Sequence, residues 1–139
     1  MAIGDRLLSR LRPFLSKADK ERILGAVAEA ARATSGEIHV DVVAHAPGKD
    51  ILDAARRRFA LLRLHKTKER NAVLILVAYR DRKFAIVGDE DVHDKAGQGL
   101  WERARAALQQ AFAAGRYADG IVACVREIGA ELARFYPAA

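Results

Sequence analysis

Residues 72–79 form an unbroken apolar run of strand length, with polar and charged residues on both sides. A polar turn at residues 80–83 returns the chain into a second apolar segment, residues 84–87, which is followed by Gly88 and several acids. A strand that is apolar on both faces is stable only when other elements cover both faces. The sequence therefore predicts a layered α/β domain with residues 71–79 as its central strand.

The order of the remaining elements predicts a mixed sheet. Residues 37–44 alternate between apolar and polar side chains, which is typical of a strand with one buried face. A helix capped by Asp50 follows, and a strand–helix–strand unit implies that its two strands are parallel. The tight turn after the central strand implies an antiparallel hairpin. We therefore predict a small mixed sheet, made of a parallel pair plus an antiparallel hairpin strand.

The length of 139 residues favours one domain with its own core. Apolar residues at helical spacing predict an N-terminal helix over residues 1–15, which Pro13 ends or kinks. Ser16 and Asp19 form a capping pattern for the next helix. This places a single α/β domain at residues 16–139.

Few features of the sequence bear on the cellular location of the protein. No apolar run approaches the roughly 20 residues that span a bilayer, and the N-terminus lacks the continuous apolar region of a signal peptide. Cys124 is the sole cysteine, so no internal disulfide can form. We expect a cytoplasmic protein without a transmembrane segment.

An acidic cluster follows the hairpin and consists of Asp89, Glu90, Asp91 and Asp94. A hard cation such as Ca²⁺ or Mg²⁺ would relieve the repulsion between these carboxylates by binding their oxygens. Asp89 is the first candidate because it directly follows the strand. The alternative is a solvated loop whose acids cap the following helix and complement its dipole.

Arg70 and Asn71 precede the central strand and are the candidate residues for binding a ligand or cofactor. Arg70 can hold a phosphate or carboxylate through two hydrogen bonds, and Asn71 can fix a loop by bonding its backbone. In the alternative interpretation, Arg70 pairs with Glu37 or Asp89 and closes the end of the sheet. Because residues 84–87 run antiparallel to the central strand, Asp89 should return close to Asn71.

The net charge is +6, and basic residues outnumber acids in residues 50–70. Such a segment could contact a polyanion or an anionic membrane surface, although the usual explanation is a solvated helix face. The sequence contains no recognised nucleic-acid motif, no Walker A loop and no G-x-G-x-x-G. We therefore expect neither a nucleic-acid partner nor a nucleotide cofactor.

Several short motifs occur together in a fixed order between Thr34 and about Pro137. They are Thr34-x-Gly36-Glu37-Ile38-x-Val40, Thr67-x-x-Arg70-Asn71-x-Val73-Leu74, Asp81-Arg82-Lys83-x-Ala85-Ile86-x-Gly88-Asp89, Trp101 and Gly115-x-Tyr117-x-x-Gly120. In this order and spacing the chain resembles a single-domain bacterial member of the TPM domain family. That family includes the thylakoid-lumen proteins of photosystem II repair.

The resemblance implies a Rossmann-like, three-layer α/β/α sandwich and divalent-cation binding at the acidic loop. For some plant members it implies weak acid phosphatase activity, whereas other members act as accessory or assembly factors. The chain departs from the family in two respects. Most relatives follow an export signal and often precede a membrane anchor, neither of which we expect here, and the acidic residues 88–91 replace their usual glycine-rich loop.

Three functional hypotheses follow. The first is an accessory module that binds an unidentified protein partner and a divalent cation. The second is a weak, metal-assisted acid phosphatase in which Arg70 steadies the phosphate charge. The third is a basic module that binds a polyanion or makes peripheral contact with a membrane.

Overall fold

The computed structural model describes residues 14–138 of the chain. Within them, strands β1 (Glu37–Val43), β2 (Ala72–Ala78) and β3 (Lys83–Gly88) form a sheet in the order β1–β2–β3. β1 runs parallel to β2, whereas β3 runs antiparallel to it. This confirms the predicted mixed sheet with its parallel pair and its hairpin strand.

Four helices complete these residues: α1 (Lys17–Ala33), α2 (Ile51–Leu61), α3 (Glu90–Ala113) and α4 (Tyr117–Phe135), with a short 3₁₀ helix at Leu64–Lys66. The predicted caps are confirmed. Ser16 and Asp19 form a capping box at the start of α1, and the Asp50 side chain accepts a hydrogen bond from Leu52 N–H at the start of α2.

The helices cover both faces of the sheet, because β2 is buried along its whole length. Helix α2 packs on one face, where its Ala55 and Phe59 lie in clusters with Leu76 and Leu74 of β2. Helices α1, α3 and α4 pack on the other face, where Ile75 belongs to the largest core cluster. The predicted three-layer α/β/α arrangement is therefore confirmed.

Two details differ from the sequence expectation. The acids Glu90, Asp91 and Asp94 were expected in a loop, but they lie in the first turns of α3, which begins directly after Asp89 and bends at Gly97, where φ is 72°. Apolar residues at helical spacing in α1 predict that Leu24 lies on the buried stripe with Ile23 and Val27, but 67% of its surface is exposed. The buried stripe of α1 passes through Ile23 and Ala26 instead.

The predicted N-terminal helix lies almost wholly outside the described residues, and Phe14 and Leu15 form a bend before α1. Among the described helices, none is both long and apolar enough to cross a bilayer. The fold thus sets the start of β2 beside the end of β3, at the edge of the sheet where Arg70, Asn71 and Asp89 lie.

Candidate functional site

An ion pair between Arg70 and Asp89 forms the centre of this edge. The Arg70 Nε and Nη2 atoms donate to the two carboxylate oxygens of Asp89, at 2.8 and 2.9 Å. Arg70 Nη2 also lies 3.4 Å from a carboxylate oxygen of Glu90. The alternative interpretation of Arg70, that it pairs with Asp89 and closes the end of the sheet, matches this geometry.

Backbone geometry places both partners of the pair. Arg70 has a φ of 55°, in the left-handed region, and this turn directs the chain into β2. Asp89 continues the β2–β3 ladder, since its N–H donates to Ala72 O at 2.9 Å. Its carboxylate then accepts from the N–H of Glu90 at 2.8 Å, so that it caps α3.

Asp89 is nearly buried, with only 6% of its surface exposed. Burial acts to raise the pKa of Asp89, but the hydrogen bonds from Arg70 and from Glu90 N–H, with the charge of Arg70, hold that pKa below its ordinary value. The hydrogen bond to Asp89 in turn raises the pKa of Arg70. Each group of the pair therefore stabilises the charged form of the other.

Asn71 is buried beside this pair and belongs to a second small network. Its Nδ2 donates to a carboxylate oxygen of Glu69 at 3.0 Å, and the Ser35 hydroxyl donates to the same oxygen at 2.7 Å. The expectation that the Asn71 side chain bonds backbone is wrong, because its side-chain partners are Glu69 and Ser35. Its own N–H donates to the Thr67 hydroxyl at 3.1 Å.

Asp91 has different partners from Asp89. The Tyr136 hydroxyl donates to Asp91 at 2.5 Å, and the Lys95 ammonium lies 3.1 Å from the same oxygen. These hydrogen bonds, that from Tyr136 first, lower the pKa of Asp91. Burial, followed by Asp91 and by the charges of Glu69 and Asp89, raises the pKa of Tyr136.

The four predicted metal ligands do not converge in this arrangement. Asp89 binds Arg70, Asp91 binds Tyr136 and Lys95, and Glu90 and Asp94 are exposed. Across residues 14–138, no three side chains of the His, Cys, Asp and Glu types come together as a set that could hold a metal ion. The conformation described thus does not fit a divalent cation without rearrangement, and cation binding stays a prediction.

The sequence did not indicate a role at this edge for three further residues, which are Glu69, Lys95 and Tyr136. Tyr136 is 45 positions from Asp91 in the chain and follows the last helix, where neither spacing nor a motif indicates a polar contact. Cys124 is buried, and this burial raises the pKa of its thiol to about 12.

Ion pairing also occupies part of the basic segment. Arg57 pairs with Asp53 at 2.7 Å, and Arg58 with Asp41 at 2.5 Å. Arg56, one residue earlier, has no carboxylate partner within residues 14–138. Two arginines of this segment are therefore already engaged by carboxylates of the same chain.

Comparison with solved structures shows the same fold in other proteins. The NMR structure of the BA42 protein from the psychrophilic bacterium Bizionia argentinensis is 33% identical, with a TM-score of 0.85, over 93% of this chain and 88% of that one. An N-terminal domain of a protein from P. gingivalis is 19% identical, with a TM-score of 0.71, over 88% of this chain and 79% of that one.

A third structure, the N-terminal domain of the cg2496 protein from Corynebacterium glutamicum, is 18% identical, with a TM-score of 0.67, over 85% of this chain and 74% of that one. No functionally curated protein matches the sequence at a significant level. The sequence profile of the TPM domain matches residues 11–131, which is most of the chain. The chain therefore belongs to the TPM domain family.

Proposed function

We propose that this TPM domain is an accessory module that acts by binding a polypeptide partner and does not hydrolyse phosphoesters. The observation that carries the proposal is the closed Arg70–Asp89 pair. A metal-assisted phosphatase would need Arg70 free to hold a phosphate and Asp89 free to hold a cation. Each of these groups is instead bound to the other through two hydrogen bonds.

The position of the pair also supports a structural role. Asp89 joins the end of β3 to the first turn of α3, while Arg70 precedes β2. The pair thus links two strands and a helix at one edge of the sheet. Opening it would leave the buried carboxylate of Asp89 without its partner, which is unfavourable. Such a link favours a binding role, because a surface held in one conformation loses less conformational freedom when a partner binds.

Two assays test this proposal. The first measures turnover of a chromogenic phosphoester by the full chain and by Asp89→Asn, with Mg²⁺ or Ca²⁺ present. We expect no turnover that depends on Asp89, and activity that is lost in Asp89→Asn would overturn the proposal. The second selects binders from a displayed library of random peptides. We expect enrichment of a shared pattern, and repeated selection without enrichment would contradict a polypeptide-binding role.

Divalent-cation binding is the second candidate. The Arg70 guanidinium lies 2.8 and 2.9 Å from the carboxylate oxygens of Asp89 and 3.4 Å from one of Glu90, so a cation that displaced Arg70 would meet two carboxylates. Calorimetric titration with Ca²⁺ and Mg²⁺ tests it. Heat that disappears in Asp89→Asn supports a cation site there. Because Arg70 competes for Asp89, the affinity should then rise in Arg70→Gln, and the absence of heat in both chains excludes the site.

The polyanion hypothesis remains a separate proposal with its own test. Binding of heparin or of anionic vesicles should weaken steeply with salt and with charge reversal at Lys66, which is exposed. Binding that is absent, or that does not depend on salt, would exclude it.

A further inference from the structure

Strand β3 lies at the edge of the sheet, with one of its sides unpaired in the described residues. In an antiparallel pair, opposite residues alternate between those that exchange hydrogen bonds and those that do not. Since Asp89 bonds Ala72, the backbone of Ala85 and Val87 faces β2. The N–H and C=O groups of Phe84, Ile86 and Gly88 therefore face outward.

No other described element occupies this outward side. The sheet ends at β3, and among the backbone and side-chain hydrogen bonds of residues 14–138 none reaches the outward N–H of Ile86 or Gly88. An edge strand with free backbone groups is a template for the addition of another extended chain.

A groove of about 400 Å³ runs along this edge. Ile86, Val87 and Gly88 line its floor, while Arg56 of α2 and Arg105 of α3 stand on its two walls. The walls belong to opposite faces of the sheet, because α2 packs on the Ala85 and Val87 face and α3 on the Phe84 and Ile86 face.

Charge in the groove favours an acidic occupant. Arg56 and Arg105 are exposed, and neither has a carboxylate partner in the part of the chain that the structure describes. Of the two acids in the lining, Glu90 already lies against Arg70. The two acids equal the two arginines in number, but both guanidinium groups lack a partner among the described residues, so each can take a carboxylate from an occupant of the groove.

The upper end of the groove is shaped by a close contact between Gly88 and Trp101. A Cβ atom at Gly88 would overlap the Trp101 ring, which is buried and lines the groove. The Trp101 Nε1 atom is buried and has no hydrogen-bond partner among the described residues. At this end of the groove Gly88 therefore presents backbone without a side chain, whereas Ile86 and Val87 line the rest of the floor.

We propose that the groove between α2 and α3 binds an extended acidic peptide, which adds to β3 as a fourth strand. This inference names the site and chemistry of the partner and therefore rests on the proposed polypeptide-binding function. Successive side chains of an extended peptide point to opposite faces. Two consecutive glutamates would thus reach opposite walls, one towards Arg56 and the other towards Arg105.

The direct test uses the peptide Thr-Val-Glu-Glu-Val-Thr, blocked at both ends, and the ¹⁵N-labelled full chain. Amide hydrogen exchange followed by NMR should slow at Ile86 and Gly88 when the peptide is added. A peptide with lysines in place of the glutamates, and one N-methylated at every residue, should leave the exchange of both amides unchanged. Equal protection by the N-methylated peptide would overturn strand addition.

Matched arginine variants test the charge argument. Arg56→Glu and Arg105→Glu should each weaken binding of the acidic peptide by about three- to tenfold. Arg57→Glu is the control, because Arg57 lies on the same helix, pairs with Asp53 and does not line the groove. Equal weakening in all three variants, or none in any, would overturn the proposed position of the glutamates.

The remaining outcomes separate this inference from the general function. If library-selected peptides bind but protect amides elsewhere, the polypeptide-binding function stands and the β3 site is refuted. If selection yields no peptide and the acidic probe does not bind, both fail. Ile86 and Gly88 amides that are already protected without peptide would also overturn the site, and sedimentation then shows whether a second copy of the chain covers it.

Discussion

Replacement of Asp89 provides the sharpest test of how this edge is held together. In Asp89→Ala the carboxylate is lost, and with it the N-cap of α3 and both hydrogen bonds from Arg70. In Asp89→Asn the cap acceptor is retained, while the negative charge is removed. The two variants therefore separate the contribution of the cap from that of the charge.

The expected loss follows from the contacts. An N-cap carboxylate contributes about 0.5–2 kcal/mol, and hydrogen bonds to a charged group about 1.5–3 kcal/mol. Arg70 is 43% exposed, so solvent screens its charge and places the pair near the lower end of that range. We expect Asp89→Ala to lower the free energy of unfolding by about 2–4 kcal/mol and Asp89→Asn by about half as much.

Urea unfolding monitored by circular dichroism, repeated between pH 7 and pH 3, measures both effects. The pKa of Asp89 is lowered on folding, so its stabilisation is fully present above the ordinary aspartate pKa of about 3.9 and is lost as the pH falls through the folded value. The stability difference between wild type and Asp89→Asn should therefore shrink below about pH 4. Wild-type stability of Asp89→Ala at pH 7 would refute the reasoning. So would a stability difference between wild type and Asp89→Asn that is independent of pH.

Three further substitutions test other parts of the fold. Gly88→Ala should destabilise the domain by about 1–3 kcal/mol, and the fluorescence of Trp101, the sole tryptophan, should shift because the new methyl group displaces its ring. Gly115→Ala should cost about 1 kcal/mol in urea unfolding, since Gly115 has a φ of 74°. Leu24→Ser should leave the free energy of unfolding within about 0.5 kcal/mol of the wild-type value, because Leu24 is exposed; a larger loss would mean that Leu24 is buried in solution.

The sheet could be predicted from the sequence because its signals are local. The apolar run of β2 demands cover on both faces, and the polar turn at residues 80–83 dictates the hairpin direction. From that direction follows the return of Asp89 to the start of β2, where the structure places it against Arg70. The contact between Arg70 and Asp89, which are 19 positions apart, can therefore be predicted from the topology alone.

The long-range contacts of the same edge were not predictable. Tyr136 meets Asp91 only because α4 packs against α3 and ends beside the first turn of α3, and no periodicity in either helix encodes that endpoint. The acidic cluster was expected in a loop after the strand, and its four carboxylates repel one another. In the structure Arg70, Lys95 and the Tyr136 hydroxyl offset that repulsion, so α3 can begin directly after Asp89.

The ion pair and the free strand edge are connected through the register of β3. The hydrogen bond from Asp89 N–H to Ala72 O, held in place by Arg70, decides which backbone groups of β3 face β2. A slip of one residue would turn the N–H groups of Ile86 and Gly88 inward and carry the apolar side chains to the opposite face. The Arg70–Asp89 pair is therefore expected to support binding in the groove without touching the bound peptide.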